Sequence, residues 1–187
     1  MKDGEIMRFQ LNIRLNDKDY LDYNIFWMLK SPYGKKEMLK TRIMIAFFCG
    51  AIALIFLFRG EFSSAALLGM IPCAVLCIVL ELLWNTFFVW ALKSHIKSIK
   101  GKGKMGYSPV AEMEFYDDRL IETTPENKTE QKYSAVERVS VIADKVIYIH
   151  VNNVMSYILP RECFASKEQY AEFLGFIRTK CSRIDMY

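Results

Sequence analysis

A chain of 187 residues, 52% of them hydrophobic and 25% charged, has room for one ordinary domain beside an anchor or for two very small ones. Two large domains are excluded, because an independent core needs on the order of 100 residues. The formal net charge of +4 gathers beside an apolar middle and not on a face of its own, which argues against nucleic acid as a partner.

The opening Met-Lys-Asp-Gly-Glu leads directly into charged, alternating sequence, so no cleavable signal peptide is expected. Met7 to Leu15 then alternates strictly, with Met7, Phe9, Leu11, Ile13 and Leu15 on one face and Arg8, Gln10, Asn12 and Arg14 on the other. That is the pattern of a half-buried strand. Asn16 or Asp17 caps a helix running to about Lys30, on which Tyr20, Leu21, Asn24, Ile25 and Met28 keep helical spacing. Its aromatics Tyr20, Tyr23, Phe26 and Trp27 make it amphipathic, suited to a membrane surface or to packing on a C-terminal domain. Ser31-Pro32-Tyr33-Gly34 ends it.

Between Ile43 and Leu92 the formal charges are Arg59, Glu61 and Glu81, whereas charges come every few residues on either side. This is the composition of a membrane insert. Ile43–Phe58 falls a little short of the ~20 residues that cross a bilayer, a gap that Arg42 and Arg59 close by snorkelling. Ala65–Leu92 is longer than a span requires and carries Pro72, which should kink it. The short polar link at 59–64 makes the two helices an antiparallel hairpin. Lys30, Lys35, Lys36, Lys40 and Arg42 precede it and Lys93, Lys97, Lys100, Lys102 and Lys104 follow, against Arg59 in the turn. The positive-inside bias therefore puts both termini in the cytoplasm, with Trp84 and Trp90 in the interfacial belt.

Glu81, with Asn85 one turn on, is either an intramembrane functional group or a polar contact to a neighbouring helix near the inner interface; a lone acid is too little for a transporter. The stretch Lys93 to Gly106 reads as a helix end running into a glycine-rich linker. Lys93, Lys97, Lys100, Lys102 and Lys104 are candidates for contact with anionic lipid, or serve purely as topology determinants.

From Val110 the pattern becomes a meander of six short strands: Met113–Phe115, Leu120–Thr123, Thr129–Ser134, Val139–Ala143, Val146–His150 and Met155–Leu159. Asp117-Asp118, Pro125-Glu126-Asn127, Ala143-Asp144-Lys145 and Asn152-Asn153 supply the turns. Pro160 stops the last strand, and Ser166-x-x-Gln169 is a capping box for a helix presenting Tyr170, Phe173, Leu174, Ile177 and Cys181. These elements predict a small barrel or sandwich plugged by one helix. The orphan strand at Met7–Leu15 is available as a seventh, making the hairpin an insertion between strands.

The N-terminal strand with Asp19-Tyr20, the Ser31-Pro32-x-Gly34-Lys35-Lys36 stretch, the hairpin, Glu114-Phe115-Tyr116-Asp117, Tyr133 with Val136, and Tyr157-Ile158-Leu159-Pro160-Arg161 with Phe164 together resemble the YcxB-like family of bacterial membrane proteins. The resemblance implies a C-terminal domain similar to the bacterial pleckstrin-homology-like fold. It departs at Tyr133, where tryptophan is expected, an exchange that keeps an aromatic core residue. It implies no activity, catalytic residue or cofactor.

Chemistry-bearing motifs are missing. His95 and His150 have no nucleophile partner in a recognisable motif, so triad catalysis is not expected. Gly101-Lys102-Gly103-Lys104 lacks the preceding strand and Lys-Ser/Thr ending of a phosphate loop. Asp117 and Asp118, adjacent in a hairpin, suit a turn better than a paired acid site. The five cysteines are odd in number, with Cys49, Cys73 and Cys77 in the apolar region, so reduced thiols are expected and neither a disulfide framework nor a zinc site. No catalytic, cofactor-binding or metal-ligating residue is assigned.

The expectation is an α+β membrane protein: residues 1–42 an N-terminal strand and amphipathic helix, 43–92 a transmembrane hairpin, 93–109 a basic linker, and 110–187 a pleckstrin-homology-like β barrel or sandwich capped by a C-terminal helix. The architecture points to a non-enzymatic, inner-membrane-anchored module binding a protein segment or lipid headgroup at the cytoplasmic leaflet. Its partners would be the anionic inner leaflet and a protein or a second copy of the chain. The alternative is an accessory subunit of a multi-component transporter or channel.

Overall fold

The computed structural model describes residues 6–59, 64–101, 106–152 and 155–187. In chain order its elements are β1 (Phe9–Arg14), α1 (Asp17–Lys30), α2 (Pro32–Arg59), α3 (Ser64–Gly101), β2 (Val110–Phe115), β3 (Arg119–Thr123), β4 (Lys128–Lys132), β5 (Arg138–Ile142), β6 (Val146–His150), β7 (Ser156–Pro160), α4 (Lys167–Lys180) and β8 (Ile184–Met186). They divide into two compact units, Met1–Tyr23 with Lys104–Tyr187, and Asn24–Gly103.

The first unit holds two four-stranded sheets, ordered β1-β2-β3-β4 and β7-β6-β5-β8. The sheets do not close into a barrel, so of the two expected forms the barrel is set aside. Its physical obstacle is β4, Lys-Thr-Glu-Gln-Lys, whose charged residues suit an edge strand open to water. The six meander strands are all present. The orphan N-terminal strand is β1, antiparallel to β2 from Phe9↔Phe115 to Arg14↔Val110. An eighth strand, β8, was not expected; it runs parallel to β5 through Val139↔Ile184 to Val141↔Met186.

Alternation along the strands decides what meets in the core. Leu11 and Ile13 of β1, Met113 and Phe115 of β2, Val139 and Val141 of β5, and Ile147 and Ile149 of β6 share one apolar cluster with Phe173 and Ile177 of α4. Phe173 is fully buried and packs edge-on against Phe9 at 5.4 Å and Phe115 at 4.8 Å between ring centroids, the favourable geometry for aromatic pairs. Ser166 caps α4 by accepting the Gln169 N–H at 3.1 Å, while the Gln169 side chain accepts the Ala165 N–H at 2.7 Å, one residue earlier than in the standard box. Between β5 and β6, Asp144 adopts φ 51°, the left-handed position of a three-residue hairpin loop that Asp tolerates. Of the two destinations open to α1, its first turns take the sheet unit. Tyr20 stacks on Tyr107 at 5.0 Å, the Tyr107 O–H donates to Asp17 at 2.7 Å, and Tyr23 meets Tyr148 edge-on at 5.1 Å.

In the second unit, Ser31-Pro32-Tyr33-Gly34 does end α1, but it also starts α2 without a loop. Buried Ser31 accepts the Gly34 N–H on its hydroxyl at 2.9 Å, and Pro32 sits at the first helical position, where its missing N–H costs nothing. A Cβ on Gly34 would lie 2.5 Å from the Cα of Met28, so the two backbones touch directly. α3 contains Pro72 and continues through Lys93 to Gly101, since neither proline nor glycine interrupts it between those points. The stretches Pro32–Ile55 and Ala74–Gly101 are long and apolar enough to cross a membrane.

Candidate functional site

In the helical unit, α2 and α3 run side by side and bring Glu81 and Asn85 to Arg42. The Arg42 Nη2 donates to Asn85 Oδ1 at 3.1 Å, and its Nε stands 3.8 Å from Glu81 Oε2. Arg42 lies just before the apolar run of α2, so both α3 groups sit level with the last charged residue before that run. The hairpin itself thus supplies the neighbouring-helix contact. Arg42 Nε, Glu81 Oε1 and the Trp84 indole Nε1 are buried and lack a hydrogen-bond partner among the described residues. That leaves two polar atoms on one turn of α3, and one on the α2 residue beside Glu81, with bonding capacity to spare.

Lys93, Lys97 and Lys100 are exposed near the end of α3, and their i, i+4, i+7 spacing puts them on one helix face. Lys102 and Lys104 lie outside the described residues, as do the link at 60–63 and Asn153. Beside Arg42 and Asn85 opens a cleft of about 420 Å³, which Lys30 and Lys35 also line. No spacing rule ties Lys30 to Arg42, so the sequence did not single this group out.

The sheet unit contains a buried polar chain that motif reading also missed. Strand pairing puts His150 between Arg138 and Ser156, on the face opposite the apolar core. Its Nδ1 lies 2.8 Å from the Ser156 hydroxyl and its Nε2 3.0 Å from the Ser140 hydroxyl, and the Tyr23 O–H donates to Ser156 at 2.8 Å. A run of donors from Tyr23 through Ser156 to His150 Nδ1, with Nε2–H given to Ser140, satisfies the neutral ring. Burial, with the charge of Arg138 adding to it, pulls the His150 pKa down to about 4. Ser140 and His150 are each 1% exposed, so no substrate reaches them; the cluster pins α1 to the sheet.

Asp117, in the β2–β3 turn as expected, has a further task. Arg8 grips its carboxylate at 3.0 and 3.2 Å and Lys180 of α4 reaches it at 3.3 Å, joining the start of β1 to the end of the helix. The Arg8 hydrogen bond foremost, and Lys180 after it, hold its pKa below the usual carboxylate value. Cys49, Cys77, Cys163 and Cys181 are free thiols, the last two with pKa values raised by burial; the Cys73 side chain lies outside the described residues. Among the described residues no three His, Cys, Asp or Glu side chains converge as a metal site would need.

Fold and site together define an α+β chain that joins two long apolar helices to a two-sheet unit whose N-terminal strand precedes the helices and whose remaining strands follow them. Residues 115–177, from the last residue of β2 to the third turn of α4, match the family model described as YcxB-like protein. The family resemblance read from the sequence holds over that stretch. Neither a curated protein nor a solved structure matches the chain.

Proposed function

We propose that this is a two-pass inner-membrane protein of the bacterial cell, with both termini in the cytoplasm. Its sheet unit, read as pleckstrin-homology-like, works as a non-enzymatic interaction module that holds a protein segment or lipid headgroup at the inner leaflet. One observation carries the membrane part of the reading: 6% of the first apolar window and none of the second is buried. A core helix of a soluble protein hides such a surface, whereas here Phe47, Phe48, Ile71, Leu82 and Trp90 all stand exposed. Hydrocarbon is the medium that makes such a surface favourable.

The orientation rests on the lysines flanking both helices. The interaction role rests on the sheet unit, whose buried polar cluster around His150 is sealed from solvent and serves to hold α1 to the sheet. The accessory-subunit alternative drew on Glu81 and Asn85 seeking a partner helix, and Arg42 of the same hairpin stands beside both.

Alkaline carbonate extraction of membranes, combined with reporters fused to each terminus, tests the reading. The chain should stay in the pellet, and both reporters should read cytoplasmic. Release into the supernatant, or reporters on opposite sides, would overturn it. Affinity purification in mild detergent tests the module itself, which should bring down a peripheral protein or anionic lipid; a stoichiometric multispanning partner would favour the accessory subunit.

A further inference from the structure

We infer that the cleft between the end of α1, the start of α2 and Asn85 of α3 is a binding site for the phosphate of an anionic phospholipid headgroup; this rests on the membrane reading above and names a ligand and a place for it.

The lining explains the choice. Lys30, Lys35 and Arg42 face a space of about 420 Å³ together with the Asn85 amide, and no carboxylate lines it. That volume suits a headgroup and the first atoms of its glycerol, lying within the usual range of small-ligand sites. Among the described residues the side chains of Lys30 and Lys35 make no hydrogen bond or ion pair, the Lys35 backbone N–H alone being given to Ser31 at 3.0 Å, so two uncompensated charges belong to the lining. Arg42 has Glu81 beside it, yet its buried Nε still lacks a hydrogen-bond partner. A cleft whose lining includes a guanidinium with a donor to spare and two lysines has the chemistry that recognises a phosphate.

Position separates a lipid from other phosphates. Met38 and Leu39 supply apolar wall in the same cleft, and α2 continues from Arg42 directly into its apolar run, with Ile43, Met44, Phe47 and Phe48 exposed. A phosphate held by Lys30, Lys35 and Arg42 would therefore leave its acyl chains against the side chains that hydrocarbon is proposed to cover. The α1–α2 junction between the two lysines is fixed by Ser31, which caps α2, and by Gly34, whose lack of a side chain lets α2 abut the backbone of Met28 in α1. This site is distinct from the row Lys93, Lys97 and Lys100 near the end of α3.

The test uses the full chain in phosphatidylcholine nanodiscs doped with phosphatidylglycerol, with native mass spectrometry counting phosphatidylglycerol retained after transfer to detergent. Both lysines are exposed, so Lys30→Gln and Lys35→Gln leave the fold intact. Each should weaken retention about fivefold, the strength of one juxtamembrane cation on anionic lipid, and Lys35→Arg should restore it. Lys93→Gln with Lys97→Gln is the control for general surface charge and should change retention less than the cleft pair. Equal losses from the two pairs, or no loss from the cleft pair, would overturn the site. Millimolar inorganic phosphate distinguishes the source of the ligand: retention should hold, and displacement of the lipid would assign the cleft to soluble phosphate instead. Failure of the membrane reading would show separately, as a chain that never incorporates into the discs.

Discussion

The most demanding consequence of the fold is that the C-terminal part of the sheet unit, Lys104–Tyr187, cannot stand without a strand from the other end of the chain. β1 contributes Leu11 at 1% and Ile13 at 3% exposure to the core, besides Phe9 against Phe173. Burying two such side chains contributes about 3–6 kcal/mol, before any account is taken of the β1–β2 ladder or the Arg8–Asp117 contact. A domain of this size is stable by only about 5–15 kcal/mol in total. The polypeptide 106–187 should therefore lack a cooperative urea transition by circular dichroism, and adding a peptide of residues 6–23 should restore one. A Leu11→Ala peptide leaves a cavity costing about 2–5 kcal/mol, so it should complement at least about thirtyfold more weakly. If 106–187 alone unfolds cooperatively with an unchanged midpoint on peptide addition, β1 is an ornament and the reasoning fails.

Two further outcomes follow from local geometry. Gly34→Ala pushes a methyl into the backbone of Met28 and should destabilise the α1–α2 junction by about 1–3 kcal/mol, seen as faster amide exchange over Trp27–Lys36 in micelles; unchanged exchange would mean the helices part freely. His150 has its pKa lowered by burial from the ordinary 6.5 to about 4, so the unfolded chain binds a proton that the folded chain refuses. Stability is then full above pH 6.5 and declines as pH falls toward 4, by about 3 kcal/mol if the whole shift is realised. His150→Gln should flatten that part of the stability–pH curve, and an equal slope in both proteins would count against the buried neutral ring.

Much of this architecture is legible because alternation and helical spacing are local signals. β1, the six meander strands and α4 follow directly from them. What was missed depends on partners distant in sequence or on very short elements. β8 is three residues long, below the reach of any period, and exists because Val139 and Val141 of β5 offer it an open edge. The length of α3 was hidden by lysines and glycines that look like linker, although the first glycine after Pro72 is Gly101 itself. The Arg42 contact was available in principle: Arg42 stands as far from the end of α2 as Glu81 does from the start of α3, the condition for two residues of an antiparallel pair to meet. The His150 cluster could not be read ahead, because its members come from β5, β6, β7 and α1 and meet only once strand register is set.

The pairing of β1 with β2 also sets a clock on biogenesis. The two strands are separated by about a hundred residues of chain, which a ribosome adding ~5–20 residues per second takes roughly 5–20 s to make. Throughout that interval Leu11 and Ile13 wait as an unmated strand, exposed to any passing edge. A nascent-chain chaperone that shields the first twenty residues would raise the yield of this protein more than one acting on the finished C-terminus.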